Sequence, residues 1–276
     1  MRVGEGVATR LLHVADCPVL VRAWQPARDR VAFRAERVDP DSIMAPRLST
    51  WRAGMPAGGP ELELAIERMR FALGVDDDLT EFFTLFRRDP LLGPQLRRRP
   101  HLRPTRRPWE WEALAWAVVK QLIESGRAAR IQRRIVGRWG SRMGRERRAL
   151  RDVPTAATIA GRAPAELESM GLALKRAIAL RAISRDIAAG RCRPGDASCD
   201  RRLLAVPEIG PWTVQCLGFF GRGDPDSLPA GDLMYLKLVG RLGRLGRRAT
   251  VEEVEEFFAP YRPYRGLAGA WALLAG

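Results

Sequence analysis

The residues between 202 and 240 carry the clearest chemical pattern in the sequence. An apolar run at 203–206 is followed by a Pro-x-x-Gly turn at 207–210 and by a second apolar stretch that opens with Pro211, Trp212 and Thr213. This order predicts two helices joined by a tight hairpin. Gly210, which lacks a Cβ, lets the chain turn and come close to a ligand. The free N–H groups that begin the second helix then form a site for one phosphate, whatever the base sequence beside it.

The predicted phosphate-binding hairpin comprises Pro207, Glu208, Ile209, Gly210 and Thr213. The backbone carbonyls of Leu204, Val206 and Ile209 could in addition hold a monovalent cation, Na⁺ or K⁺, that bridges to the phosphate. A Pro-x-x-Gly turn alone is also typical of an ordinary αα-hairpin, so the downstream sequence must decide between the two interpretations.

Asp232 is the downstream residue that bears on this choice. It follows a Ser-Leu-Pro-Ala-Gly loop at 227–231 and precedes a predicted apolar helix at 233–242. An Asp at this point could simply be an N-cap, which contributes about 1 kcal/mol. A cap, however, does not need a Leu-Pro-Ala-Gly turn at this distance from a helical hairpin.

The hairpin, the Gly/Pro-rich loop and the Asp together resemble the helix-hairpin-helix (HhH-GPD) superfamily of DNA glycosylases. Within it, they are most similar to the alkylation-repair branch, the 3-methyladenine DNA glycosylase II family. Further similarity lies in segments 89–103, 111–123, 153–177 and 261–265, so the resemblance spans residues 80 to 276. Three positions depart from the family pattern: Glu208 and Lys120 each replace a Gly, and Glu124 replaces a small polar residue.

The resemblance implies an enzyme that hydrolyses the N-glycosidic bond of a damaged, alkylated purine in double-stranded DNA after the nucleotide is flipped out. Asp232 would be the catalytic carboxylate, which stabilises positive charge on the sugar and orients or deprotonates the attacking water. Trp212 would form one wall of the base pocket, where its indole face attracts a cationic base. Leu122, with Gln121 beside it, would be the wedge that fills the vacated space. A core tryptophan at 212 and a core leucine at 122 are the structural alternatives.

The resemblance also bears on the reaction type. Related bifunctional enzymes carry a Lys in the hairpin that forms a Schiff base, whereas Trp212 occupies that place here, so a monofunctional glycosylase is expected. No cysteine lies beyond Cys216, which argues against the branch that binds an iron–sulfur cluster. Two alternatives stay open: a non-catalytic helix-hairpin-helix DNA-binding protein, and a glycosylase for oxidised or mismatched bases.

The composition favours a polyanionic partner. The chain has 276 residues, with 47 Lys and Arg against 32 Asp and Glu, and a net charge of +15. Such a surplus points to nucleic acid or an anionic membrane, although a GC-rich genome that favours Arg codons would also produce it. No apolar run is long enough to span a membrane, and the first 24 residues do not have the pattern of a signal peptide.

The four cysteines and two histidines lack the spacing of a zinc or iron–sulfur site, so no cofactor besides the hairpin cation is expected. Reduced cysteines are expected, because the default compartment for such a chain is the cytosol. We therefore expect a cytoplasmic, nucleoid-associated monomer that binds double-stranded DNA containing a damaged base.

Periodicity predicts a mainly α fold with a small α+β N-terminal domain, the fold of the helix-hairpin-helix DNA glycosylases. Residues 1–104 would form the mixed domain, with strands at 18–24 and 30–38, a polar stretch at 39–60 and helices at 61–73 and 79–86. Residues 105–276 would form an all-helical catalytic domain, with two lobes around a cleft and the hairpin at about 203–220. Its other helices are predicted at 111–125, 128–139, 154–160, 164–170, 172–189, 233–242, 251–258 and 265–274.

Overall fold

The computed structural model describes residues 1–4, 6–15, 17–27, 29–38, 59–143 and 149–275. Most of the predicted polar stretch, residues 39–58, therefore lies outside the described part of the chain. Within that part, no helix combines the length and the apolar character needed to cross a membrane.

The N-terminal part is an antiparallel sheet of four strands in the order β1 (Arg2–Gly4), β2 (Val7–Val14), β3 (Cys17–Ala27) and β4 (Arg30–Arg37). The strands predicted at 18–24 and 30–38 are present, but β1 and β2 were not predicted. Strand β2 escapes prediction because both of its faces carry buried side chains: Leu11 packs with one apolar cluster and Leu12 with another. Its sequence therefore lacks the alternation that marks a half-buried strand.

Thirteen helices are described, and they hold more than half of the described residues outside the strands. They are α1 (Pro60–Leu73), α2 (Thr80–Phe86), α3 (Gly93–Arg98), α4 (Glu110–Lys120), α5 (Ser125–Trp139), α6 (Ala156–Ala160), α7 (Pro164–Ser169), α8 (Leu174–Ala188), α9 (Asp200–Leu204), α10 (Pro211–Leu217), α11 (Leu233–Leu242), α12 (Val251–Phe258) and α13 (Arg265–Ala272). A two-stranded ribbon, β5 (Arg142–Met143) with β6 (Leu150–Arg151), follows α5. The mainly α fold with a small N-terminal sheet is thus confirmed.

The helices pack around two apolar cores. The first core unites α4, α5, α8, α9 and α10, with α4 buried along residues 112–119. The second core unites α2, α3 and the C-terminal helices α11, α12 and α13, around Phe82, Phe258 and Trp271. Helix α10 continues into a π-turn at Gly218–Arg222, which places Leu217 in the first core and Phe219 in the second. The chain that follows the hairpin therefore joins the two lobes.

Helices α2 and α3 belong to the second core although they precede residue 104. They pack there because α2 presents a row of aromatic side chains to the C-terminal helices: the Phe82 ring lies 5.6 Å from that of Tyr264, and the Phe83 ring lies 5.8 Å from that of Trp271. The division into domains at residue 104 stays a prediction.

A buried ion pair joins the sheet to the first core. Arg10 of β2 donates to Glu112 of α4 at 2.5 Å, and both side chains are almost fully buried. The same carboxylate lies 3.6 Å from Arg107 and accepts a hydrogen bond from the indole of Trp116 at 3.2 Å. A buried carboxylate is tolerable only when it is paired and hydrogen-bonded in this way.

The expectation that all four cysteines are reduced is wrong for two of them. Cys192 and Cys199 form a disulfide with their Cα atoms 5.3 Å apart, whereas Cys17 and Cys216 are free. The bridge closes the short connection between α8 and α9. Spacing alone does not reveal it, because two cysteines seven residues apart pair only if the intervening chain folds back.

Candidate active site

The helical hairpin predicted from the sequence is present. Helix α9 ends at Leu204, the chain turns at 205–210, and α10 begins at Pro211. The N–H of Ile209 donates to the carbonyl of Val206 at 3.0 Å, which closes the turn. That bond engages one of the three carbonyls proposed for a monovalent cation, and the cation itself stays a prediction.

The residue whose backbone conformation allows the sharp turn lies two positions earlier than expected. Gly210 has φ −106° and ψ 179°, an extended conformation open to any residue. The left-handed residue is Glu208, with φ 71°. For a residue with a Cβ this region costs about 1–2 kcal/mol, so the reason given for Gly210 applies to Glu208 instead. This also explains why a Gly is usual at position 208 in the family that the sequence resembles.

The five predicted phosphate-binding residues differ in what they expose. Pro207 and Glu208 are exposed and Gly210 is half-buried, with open space where a Cβ would be. The side chains of Ile209 and Thr213 are buried. Only the backbone of those two residues could therefore contact a phosphate.

Leu122 lies in the turn that ends α4, and this turn is hydrogen-bonded to the hairpin. Its side chain is 97% exposed, and its backbone is left-handed, with φ 54°. The alternative of a core leucine is therefore excluded. The same turn ends α4 at Lys120 rather than at the predicted residue 125, because a left-handed residue cannot continue the helix.

Gln121 does not project with Leu122. Its Nε2 donates to the backbone carbonyl of Glu208 at 2.7 Å and to Oγ1 of Thr213 at 2.9 Å. Its own carbonyl accepts a hydrogen bond from Arg176 of α8 at 2.5 Å. These contacts tie the Leu122 turn to the hairpin, so the Gln121 side chain faces the hairpin, and its part in the wedge stays a prediction. Sequence reasoning assigned no role to Arg176, since nothing local to residue 176 reveals its contact with residue 121.

Asp232 caps α11 from the junction between the loop and the helix. Its Oδ1 accepts a hydrogen bond from the N–H of Met234 at 3.0 Å, and its own N–H donates to Pro229 at 2.8 Å. The N-cap interpretation is therefore realised. The capping hydrogen bond uses one carboxylate oxygen, Oδ1, while Oδ2 accepts no hydrogen bond from any described residue. The half-buried side chain can cap the helix and still present an oxygen to a ligand.

The loop before Asp232 is fixed against α10. Leu228, Pro229 and Ala230 are buried, and Ser227 Oγ donates to the carbonyl of Gln215 at 3.0 Å. Gly231 faces Trp212: a Cβ built on Gly231 would lie 3.8 Å from Cβ and Cδ1 of that tryptophan. Trp212 therefore packs against the residue that precedes Asp232.

Trp212 is half-buried and belongs to neither helical core. The alternative of a core tryptophan is thus not realised, in contrast to Trp116 and Trp271. Its indole N–H is buried and has no acceptor among the residues that the structure describes. Trp212 therefore lies against Gly231 with an unused donor, and its part in a base pocket stays a prediction.

The carboxylate of Asp232 shares an electrostatic environment with Lys120, Cys216 and Tyr235. Burial raises the pKa of the Cys216 thiol and of the Tyr235 hydroxyl, and the negative charge of Asp232 raises both further. The pKa of Lys120 is lowered, first by desolvation and then by Arg107, while Asp232 opposes the change. The Lys120 side chain is exposed to solvent. The surrounding protein therefore displaces only part of its hydration water.

Comparison with known proteins identifies the family of this chain. The family model of the HhH-GPD superfamily base excision DNA repair proteins matches residues 115–263, just over half of the chain. The chain belongs to this superfamily, and the match includes α10, Asp232 and the Leu122 turn.

Individual relatives and solved structures show which members of the superfamily this chain resembles. The DNA-3-methyladenine glycosylase of Bacillus subtilis is 26% identical over 170 residues, which cover 58% of this chain and 54% of that protein. The chain thus aligns with about half the length of this relative. The structure of a 3-methyladenine DNA glycosylase from Archaeoglobus fulgidus superposes with a TM-score of 0.78 at 20% identity, covering 98% of this chain and 87% of that one. An 8-oxoguanine glycosylase/lyase of Clostridium acetobutylicum, in complex with double-stranded DNA, superposes with a TM-score of 0.69 at 14% identity, covering 96% and 86%.

Proposed function

We propose that this chain is a monofunctional DNA glycosylase, which hydrolyses the N-glycosidic bond of a damaged, alkylated purine in duplex DNA. The observation that carries the proposal is the loop that ends at Asp232, which is fixed to the second helix of the hairpin and whose Gly231 lies against Trp212. The similarity to DNA-3-methyladenine glycosylases supports the alkylated base as substrate.

Binding to DNA would use the hairpin and the positive surface. The backbone N–H groups at the start of α10 suit one phosphate, and the net charge of +15 attracts the duplex without regard to sequence. Leu122, an isolated and nearly fully exposed leucine on a clamped turn, is suited to enter the base stack and fill the space left by a flipped nucleotide.

Catalysis would take place between Trp212 and Asp232. The indole face stacks on the flipped base and attracts a cationic one. As the bond between C1′ and the base nitrogen breaks, its electron pair leaves with the base and positive charge develops on the sugar. The carboxylate of Asp232 stabilises that charge, and it accepts a proton from the water whose oxygen bonds to C1′.

Two alternatives differ from this proposal in their chemistry. The fold shared with an 8-oxoguanine glycosylase/lyase favours an oxidised base as the second candidate substrate. The alternative of a non-catalytic DNA-binding protein is supported by Glu208, a departure from the family pattern that lies in the proposed phosphate-binding turn. Such a binding protein would not need the free carboxylate oxygen of Asp232.

Release of free base from methylated duplex DNA tests the proposal, with wild type and Asp232→Asn compared side by side. Asn keeps the N-cap but loses the charge, so excision should fall by at least about a hundredfold while DNA binding is retained. Asp224→Asn is the matched control, since it removes one negative charge from an exposed site in the same loop region. Equal excision by Asp232→Asn and wild type would contradict the role of Asp232.

The products distinguish the reaction type. Free base and an intact abasic strand are expected, because Trp212 replaces the hairpin lysine of the bifunctional enzymes. A protein–DNA adduct trapped with borohydride would show a lyase instead. Release of an oxidised purine without release of any alkylated one would favour the second candidate substrate.

A further inference from the structure

Helix α5 carries a basic surface that the proposed function does not use. Its 15 residues contain no Asp or Glu, and Ile131 and Ile135 turn one side of the helix into the first core. With 3.6 residues per turn, one solvent-facing arc about 140° wide holds every arginine of the helix together with Gly126 and Gly137. All five arginines are exposed: Arg127, Arg130, Arg133, Arg134 and Arg138. These seven residues are called the basic face of α5.

The charge of the basic face is not neutralised by the protein around it. In the part of the chain that the structure describes, no ion pair joins any of its arginines to a carboxylate. Arg134 donates to the backbone carbonyl of Met170 at 3.4 Å, an uncharged acceptor. By contrast, the exposed Arg191 pairs with Asp186 at 2.6 Å. The guanidinium groups of the basic face therefore keep both charge and N–H donors for a ligand.

The basic face is unfavourable for the helix that carries it. Arginines three or four positions apart repel each other, and Arg127 adds a positive charge at the positive end of the helix dipole. Gly126 and Gly137 are poor helix formers, and packing does not require them: a Cβ on Gly137 would meet nothing within 4 Å, and one on Gly126 only Nη1 of Arg130 at 4.0 Å. Such departures are expected at functional sites, and glycines let another backbone come close.

The basic face begins next to the turn that carries Leu122. Helix α5 starts at Ser125, only three residues further along the chain, so its first turn lies within about 11 Å of Leu122. On the other side of Leu122, Gln121 is bonded to Thr213 of the hairpin at 2.9 Å. The exposed leucine is thus flanked by the phosphate-binding hairpin before it and by the basic face after it.

We propose that the basic face of α5 binds the phosphates of the strand opposite the damaged nucleotide. This inference rests on the proposed function, in which Leu122 enters the base stack and the hairpin holds the strand whose nucleotide is flipped toward α10. The helix on the other side of Leu122 then meets the complementary strand. Guanidinium groups bind phosphate oxygens through paired N–H donors. A helix of 15 residues is about 22 Å long, which corresponds to the rise of about six base pairs.

The test measures binding to a duplex that contains tetrahydrofuran, a stable abasic-site analogue, by fluorescence anisotropy over a salt series. The first variant combines Arg130→Gln, Arg133→Gln and Arg138→Gln. The control variant removes the same charge from three exposed arginines outside α5, by Arg88→Gln, Arg98→Gln and Arg185→Gln. Thermal unfolding of both variants shows whether they are folded.

For the α5 variant we expect the slope of log affinity against log salt to become shallower by about 2 to 3, because each lost phosphate contact removes about 0.9. Affinity at low salt should fall by about a hundredfold, and the control variant should keep the wild-type slope. Neutral methylphosphonate linkages then identify the strand. In the complementary strand, within about six base pairs of the abasic site, they should weaken wild type and have little further effect on the α5 variant. In the other strand they should weaken both proteins equally.

The outcomes separate this inference from the proposed function. An unchanged slope in the α5 variant, or an equal change in the control variant, would overturn the basic face as a DNA contact. If the α5 variant instead became insensitive to methylphosphonates in the abasic strand, the assignment to the complementary strand would be wrong. Release of base from methylated duplex DNA by wild type is measured in parallel. No release, together with a slope that depends on the three arginines of α5, would refute the proposed function and leave the basic face as a DNA contact.

Discussion

Glu208 and Leu122 are both non-glycine residues in the left-handed conformation, and the turns that hold them are joined by a hydrogen bond from Gln121. Gln121, next to Leu122, donates to the carbonyl of Glu208 at 2.7 Å. Non-glycine residues in this conformation persist only where the surrounding structure holds them, and they concentrate at functional sites. Each of the two residues therefore gives a separate prediction.

Replacing Glu208 with Gly should both stabilise the protein and tighten its binding to undamaged DNA, each by about 1 kcal/mol. The first effect comes from relief of the left-handed strain, and the second from removal of a negative charge beside the hairpin donors. Glu208→Gln separates them, because it removes the charge and keeps the strain. Thermal unfolding and fluorescence anisotropy measure the two effects.

The identity of the released base should not change in Glu208→Gly, because the hairpin would contact backbone and the pocket would read the base. Weaker DNA binding by this variant would mean that the carboxylate has a structural role, and our placement of a phosphate at the hairpin would be wrong.

Leu122→Ala should reduce excision from duplex DNA by about tenfold without lowering protein stability. The side chain is 97% exposed and contributes nothing to either core, but a methyl group is too small to fill the space of a flipped base. Fluorescence of 2-aminopurine next to the lesion reports the flipping. Leu85→Ala, an exposed leucine on α2, is the control, and equal loss in both variants would exclude a wedge.

At the scale of elements, three helices meet at the Leu122 turn. Arg176 of α8 donates to the carbonyl of Gln121 at the end of α4, and Gln121 donates to Thr213 of α10. Desolvation lowers the pKa of Arg176, as does Arg127, while Glu208 opposes the change. We therefore expect Arg176 to be a positioning residue, whose effect on base excision passes through the turn that it holds.

Arg176→Ala should lower duplex excision and 2-aminopurine flipping more than it lowers binding to undamaged DNA, because the turn would lose its anchor while the hairpin stays intact. The cost to protein stability should be about 1 kcal/mol, typical of one hydrogen bond at a partly exposed site. Lys175→Ala removes the neighbouring exposed charge on α8 and is the matched control. An equal loss of binding and flipping would indicate a direct phosphate contact instead.

At the scale of the molecule, the net charge of +15 predicts binding to undamaged DNA that falls steeply with salt. Each neutralised phosphate contributes a slope of about −0.9 to the logarithm of the affinity against the logarithm of the salt concentration. A handful of contacts should weaken binding by tens- to thousands-fold between low and moderate salt, equally for unrelated sequences. Anisotropy titrations over a salt series measure the slope, which Leu122→Ala should leave unchanged because it carries no charge. A flat response would show that the basic surplus does not face DNA.

Local chemistry in the sequence determined the parts of the site that depend on neighbouring residues. The hairpin follows from its Pro-x-x-Gly turn, α11 occupies its predicted 233–242 range, and Asp232 caps it. Helix α12 likewise begins with a capping box in which Thr250 and Glu253 are joined by local hydrogen bonds. Caps and turns involve groups only a few residues apart, so the local sequence is sufficient to predict them.

Only the tertiary structure decided which distant residues meet. It brought Arg176 to Gln121, paired Cys192 with Cys199, and put the left-handed turn residue at Glu208 instead of Gly210. It also formed β1 and β2, whose sequences lack a clear alternation because β2 is buried on both faces. These features depend on packing between elements far apart in the chain, and the periodicity of one segment carries no information about the segment that packs against it.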